Sequence, residues 1–231
     1  MIYFVGDVHA LFRHLAAQMD VAKIRNSTLI QVGDFGAGFK RDEEKLLEEL
    51  NHFLFKTNNQ LYVLRGNHDN PSYFYETGKI GNITFLKDYS ILEVEGNIIL
   101  LVGGAISIDR TNRVEGSSYW RDEAFNFDEG LLNSAVQGLA RLDIVVTHNA
   151  PSEFWPYQLN NLVEHYLDRD KTLRDDLANE RTAHSNLMKH TKHKGLNPTH
   201  WYYGHFHTNY NDKYEGISYR ALDELEIYAH R

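Results

Sequence analysis

Five times along this chain a short apolar run ends at a rim-like block of small and polar residues that can bind metal. Tyr3-Phe4-Val5 leads into Gly6-Asp7-Val8-His9, and Thr28 to Val32 leads into Gly33-Asp34. Leu61 to Leu64 leads through Arg65 into Gly66-Asn67-His68-Asp69. Ile144-Val145-Val146 leads into Thr147-His148, and Trp201-Tyr202-Tyr203 into Gly204-His205-Phe206-His207. Short runs of this composition read as buried strands. Helical spacing of apolar residues appears between them, over 11–23, 43–55, 129–140 and 173–192. Alternating strands and helices build α/β layers, in which polar groups at the carboxyl ends of parallel strands share one rim. Blocks scattered from position 6 to position 207 can therefore meet at one site.

Further strands are predicted at 83–86, 90–95 and 98–103, the last two as a hairpin about Gly96-Asn97. The closing segment, Gly216 to Arg220 and on through Ile227-Tyr228, reads as two more antiparallel strands completing a second sheet. With 231 residues, 42% of them hydrophobic, and no Pro-, Gly- or Ser-rich linker, the chain is expected to form one domain over 1–231. The stretches near 104–127 and 155–195 are long for plain connectors and are expected as caps or insertions beside the site.

The formal net charge is −8, which disfavours a grip on duplex nucleic acid. It leaves room for a small anionic substrate, because two bound dications would reverse the field inside a pocket. Cysteine is absent, so metal chemistry must run on His, Asp and Asn. Neither the apolar start Met1 to Val5 nor the run 98–106 approaches the ~20 residues of a membrane span. A cytoplasmic protein without membrane association is the expectation.

Taken singly the blocks are weak. A Gly-Asp after a strand is often a turn, and Gly-Asn-His-Asp is a plausible turn tetrapeptide. Gly-His-x-His says more, because alternate positions of an extended segment point the same way. The weight lies in all five occurring in order, each after an apolar strand.

In that order, Asp-x-His, Gly-Asp, Gly-Asn-His-Asp, His and Gly-His-x-His, the chain resembles the calcineurin-like metallophosphoesterase family over residues 6–207. The resemblance implies a four-layer α/β/β/α sandwich, two mixed β-sheets flanked by helices, with a dinuclear metal site at one edge. It implies that Asp7, His9 and His207 hold one ion, that Asn67, His148 and His205 hold the other, and that Asp34 bridges them. It further implies metal-dependent hydrolysis of phosphate esters by in-line attack of a metal-bridging hydroxide, the two ions lying about 3.5–4 Å apart. His68, beside a ligand but not itself matching a ligand position, is the candidate general acid. Manganese or iron is favoured, with zinc, cobalt and nickel compatible with the same ligands.

Two departures narrow the branch. Ser/Thr protein phosphatases continue the second block as Asp-Arg-Gly and place an aspartate three residues after the bridging one, to orient the acid histidine; here the block runs Gly33-Asp34-Phe35-Gly36 and that position is Ala37. Asp69 is one substitute for it. A phosphodiesterase or broad phosphoesterase on small or nucleotide substrates is therefore expected, with a phosphomonoesterase acting on proteins or small molecules as the alternative. A non-catalytic interaction module on the same fold is the reading from another class.

In the 104–127 stretch Arg110 and Arg113 are candidate phosphate ligands, or partners of Asp109, Asp122 and Glu123, and Tyr119 or Trp120 offers a stacking surface. His190 and His193 share a helix face three residues apart and read as a solvated helix end rather than a third metal site. Arg65 is expected to pair within the sheet rim.

Overall fold

The computed structural model describes residues 1–156 and 161–230. The first half alternates β1 (Ile2–Val5), α1 (Phe12–Val21), β2 (Thr28–Gln31), α2 (Glu43–Lys56) and β3 (Gln60–Val63), then closes with β4 (Gly78–Ile80) and β5 (Ile83–Phe85). The second half runs β6 (Ser90–Val94), β7 (Asn97–Val102), α3 (Glu129–Ala135), β8 (Ile144–Thr147), α4 (Asn161–Leu167), α5 (Leu173–His193), β9 (His200–Tyr203), β10 (Tyr210–Tyr214), β11 (Ile217–Ala221) and β12 (Ile227–Ala229). They form two six-stranded sheets, ordered β12-β1-β2-β3-β5-β4 and β10-β11-β9-β8-β7-β6. In each sheet four parallel strands are edged on both sides by an antiparallel one.

The two-residue period of a strand sorts side chains into layers. Ile2, Phe4, Ile30 and Val32 of the first sheet meet Ile99, Leu101, Ile144, Val146 and Tyr202 of the second in a core between the sheets. Phe4 stacks on Tyr202 with ring centroids 3.7 Å apart. The alternate residues face outward: Val5, Leu29, Leu61 and Val63 pack under Phe12, Leu15 and Met19 of α1 and Leu47, Leu50 and Leu54 of α2. Leu100, Val145, Trp201 and Tyr203 pack under Leu132 of α3 and Leu187 and Met188 of α5. This is the expected four-layer sandwich.

Several expectations need correction. The final strands do not pair with each other: β11 joins the second sheet parallel to β9, whereas β12 crosses to the first sheet and pairs antiparallel with β1. Between them Leu222 is buried in the inter-sheet core, so the chain changes sheets there. The hairpin turn is Glu95-Gly96, because Val94 pairs with Asn97, and both turn residues have positive φ (+49° and +76°). Helix α3 stops at Ala135, short of 140, and β4, β10 and α4 were not anticipated. The segment around 104–127 follows β7 and docks on α4 and α5 through Ile106, Ile108 and Ala124 against Leu173, Leu177, Val163 and Tyr166. Of the expected 155–195 insertion, residues 157–160 lie outside the described ones.

Candidate metal centre

Parallel strands β1, β2 and β3 of one sheet and β8 and β9 of the other end at a common rim, and the ligand blocks follow them. The backbone there turns left-handed at His9 (φ +47°), Asp34 (+56°), His205 (+69°) and His207 (+45°). Such conformations cost non-glycine residues about 1–3 kcal/mol each, and they gather where side-chain aim matters more than local comfort. The glycines serve close approach. A Cβ on Gly33 or Gly66 would overlap His148, and one on Gly204 would overlap the Asp7 carboxylate.

The ligand atoms of Asp7, His9, Asp34 and His207 all lie within 4.8 Å of one another, and those of Asp34, His148 and His205 do likewise. Asp34 belongs to both groups. His207 Nε2 is 3.2 Å from Asp7 Oδ2 and 3.2 Å from His9 Nε2. His148 Nε2 is 3.2 Å from Asp34 Oδ1 and 3.3 Å from Asn67 Oδ1. Every ligand position named from the sequence is thus in one cluster.

Supporting bonds fix the aim of these groups. His148 Nδ1 donates to the Val32 carbonyl (2.9 Å), so Nε2 is the ring nitrogen turned toward the site. The Asn67 amide donates to Ser107 Oγ (3.1 Å), turning its oxygen the other way, toward His148. The His68 backbone N–H donates to Asp34 Oδ1 (2.7 Å), and that of His205 donates to Asp7 (3.1 Å to Oδ2). Hard oxygens and imidazoles converging from two sides on one shared, buried carboxylate form a donor set that fits two divalent ions. Burial opposes the Asp34 charge, yet His148, His68 and His9 hold its carboxyl well below the usual range. Burial likewise opposes charging of His148, but Asp34 and Asp7 push it up to about 9.

His68 stands at the mouth. Its ring meets His9 edge-on (4.8 Å, 85°) and lies nearly parallel to Phe39 (5.8 Å, 23°), and Arg113 Nη2 is 2.7 Å from its Nε2. Because a guanidinium only donates, Nε2 is the acceptor of that bond. Burial, together with Arg113 and His9, lowers the His68 pKa against the opposing pull of Asp34 and Asp109. Asp69 does not orient this histidine. Its carboxylate is fully buried and accepts backbone N–H bonds from Phe35, Gly36, Ala37 and Gly66, tying the second block to the third.

The two arginines part company. Arg113 pairs with Asp109 (2.6 Å) and reaches His68, whereas Arg110 is bound to Asp170 (2.6 Å), Asp176 (2.6 Å) and Thr172 (2.9 Å), so it clamps the 104–127 segment to the start of α5 instead of facing the site. Arg65 pairs with Asp88 (2.8 Å) and donates to the carbonyls of Asp122, Glu123 and Ala124. His190 bonds Asn133 on α3 (3.1 Å) and His193 is exposed, away from any metal-type cluster among the described residues.

Sequence reasoning missed Glu224, whose Oε1 is 3.3 Å from His207 Nδ1 and 3.6 Å from His9 Nε2. The reason is topological: β11 is parallel to β9, so the residues after it, Leu222-Asp223-Glu224, reach the same rim, and the sequence alone does not show that pairing.

A four-layer sandwich carrying two carboxylate and imidazole groups that share one aspartate is the build of a dinuclear metallohydrolase. The family model described as calcineurin-like phosphoesterase matches residues 1–209, and the chain belongs to that family of metal-dependent phosphoester hydrolases, which uses a dinuclear divalent metal centre. Among solved structures it is similar to a candidate 5′-nucleotidase from Staphylococcus aureus (14% identity, 98% of this chain and 49% of that one, TM-score 0.48). It is also similar to an archaeal phosphodiesterase (11%, 96% and 83%, 0.42) and to a phosphopantetheinyl hydrolase from Mycobacterium tuberculosis (14%, 96% and 90%, 0.43). The chain spans about half the length of the staphylococcal protein. No curated protein matches its sequence. Among the described residues no helix is long and apolar enough to cross a membrane.

Proposed function

We propose that the protein hydrolyses phosphodiesters of small or nucleotide type, with Asp7, His9 and His207 on one divalent ion, Asn67, His148 and His205 on a second, and Asp34 on both. The observation that carries this is the pair of overlapping ligand groups sharing Asp34, with His68 and Arg113 at their open side. Bound divalent ions supply neutralisation of phosphoryl oxygens and an activated water. The protein's own groups do the rest. Arg113 binds a non-bridging phosphate oxygen, and in moving onto it frees His68 Nε2, which takes a proton from solvent and passes it to the leaving oxygen. Asn67 contributes a neutral oxygen, which keeps the site from becoming too negative to admit phosphate. Manganese or iron suits the donor set. The 104–127 segment, anchored by Arg110 and Arg65, acts as a cap over the His68 side.

The test is hydrolysis of bis(p-nitrophenyl) phosphate and p-nitrophenyl phosphate with manganese, in the natural chain and in His68→Ala and Asp34→Asn variants. Faster turnover of the diester, lost in both variants, is the expected result. Preference for the monoester makes it a phosphatase. Stoichiometric metal uptake with no turnover of any phosphoester makes it a non-catalytic module on the same fold.

A further inference from the structure

Two large aromatic side chains at the mouth of the site take no part in the protein's core. Phe39 and Trp120 are half-buried and belong to none of the four apolar clusters. They meet each other edge to face with centroids 5.4 Å apart and an interplanar angle of 62°. Phe39 also continues a line of rings that starts at the metal ligands. His207 to His9 is 5.1 Å, His9 to His68 is 4.8 Å, and His68 to Phe39 is 5.8 Å, so Trp120 stands as the fifth ring, furthest from the ligands.

The backbone beside each ring is tied to the fold. Phe39 follows the loop 35–37, whose backbone N–H groups bond the buried Asp69 carboxylate. Trp120 precedes the stretch 122–124, whose carbonyls are bonded by Arg65, and Tyr75 donates to the Asp122 carboxylate (2.9 Å). Aromatic surface beside a reacting centre favours a planar partner, since face-to-face or edge contacts add to simple burial. The cation of Arg113 lies at the same mouth. A net charge of −8 argues against a long polyanion running past it.

We infer that Phe39 and Trp120 form a subsite for a planar aromatic group on the leaving side of the substrate, a nucleobase or an aryl ring, immediately beyond His68. This rests on the phosphoesterase reading for the direction of departure, but the binding itself is measurable without turnover.

The experiment is calorimetric titration of the manganese-loaded protein with adenosine 5′-monophosphate, phenyl phosphate and ribose 5-phosphate, in the natural chain and in Phe39→Leu, Trp120→Leu and the double variant. Both aromatic ligands, or adenosine monophosphate alone, should bind roughly ten-fold or more tighter than ribose 5-phosphate. A gain for both assigns a general aryl subsite, and a gain for the nucleotide alone assigns a nucleobase. In the double variant the ratio should collapse toward one. Equal affinities in the natural chain, or a preference that survives the double substitution in a protein with unchanged circular dichroism, overturns the subsite. Absence of turnover on diesters would overturn the catalytic reading and leave this result standing.

Discussion

Replacing Asp69 by asparagine should destabilise the protein before it affects any chemistry. Oδ1 accepts from the N–H groups of Gly36 (2.7 Å) and Ala37 (2.9 Å), and Oδ2 from those of Phe35 (3.2 Å) and Gly66 (2.8 Å). The side chain is wholly buried, so no water replaces a lost acceptor. Asparagine keeps one oxygen and turns an NH2 group toward the other two donors. Two buried N–H groups left unsatisfied cost about 1–3 kcal/mol each, or about 2–6 kcal/mol together. For a chain of this size that corresponds to a fall in Tm on the order of 10 °C. Burial, reinforced by Asp34, pushes the Asp69 carboxyl up to about 7, so the comparison belongs at pH 8, where all four acceptor positions are available. Urea unfolding of chelator-treated protein isolates the effect from metal binding. The same variant should take up metal more weakly, because Asp34 and Asn67 sit on the two loops that Asp69 joins. A variant as stable as the natural chain without metal, yet inactive, would refute the scaffold role and place Asp69 in the reaction.

Replacing Arg113 by methionine should move the alkaline limb of kcat/KM to higher pH. His68 must be protonated to act as an acid, that form is lost as pH rises through its pKa, and Arg113 is one of the groups lowering that pKa; an unmoved limb or one shifted to lower pH counts against the pairing. Glu224→Gln should weaken metal binding about 10- to 100-fold, by loss of the carboxylate that faces His207 Nδ1, as read by competition with a chelating dye; unchanged affinity would make the contact incidental. Arg110→Ala should free the 104–127 segment for proteolytic cleavage and cost about 1.5–3 kcal/mol from its charged hydrogen bonds, whereas a cleavage rate equal to that of the natural chain would show that Arg65 and the Ile106 cluster hold the segment alone.

The proposed ligands could be picked out together from sequence because each block follows a strand end, where a two-residue period and, in most blocks, a terminal glycine leave little freedom. The same logic placed the hairpin of β6 and β7 and the helices that cover each sheet. What escaped was set by contacts between distant segments. The change of sheet between β11 and β12 depends on Leu222 finding the inter-sheet core, which no local pattern announces. Arg110 and Arg113 are alike in sequence, and only the docking of α5 decides that one meets Asp170 and Asp176 while the other meets His68. The role of Asp69 stayed open for the same reason, since its four donors come from two loops brought together only in the folded chain.

The division of the ligands between the sheets has a mechanical consequence. Asp7, His9, Asp34 and Asn67 follow strands of the first sheet, whereas His148, His205 and His207 follow strands of the second. Each ligand group of the centre therefore spans both layers, with His207 reaching Asp7 and His148 reaching Asp34 across the gap. The side chains that separate the sheets, the stacked Phe4 and Tyr202 among them, bear on the spacing of those contacts, because close-packed interiors transmit displacement instead of absorbing it. The apolar core between the sheets thus does for the proposed metal centre what the glycines do locally: it sets how far apart the opposed donors stand.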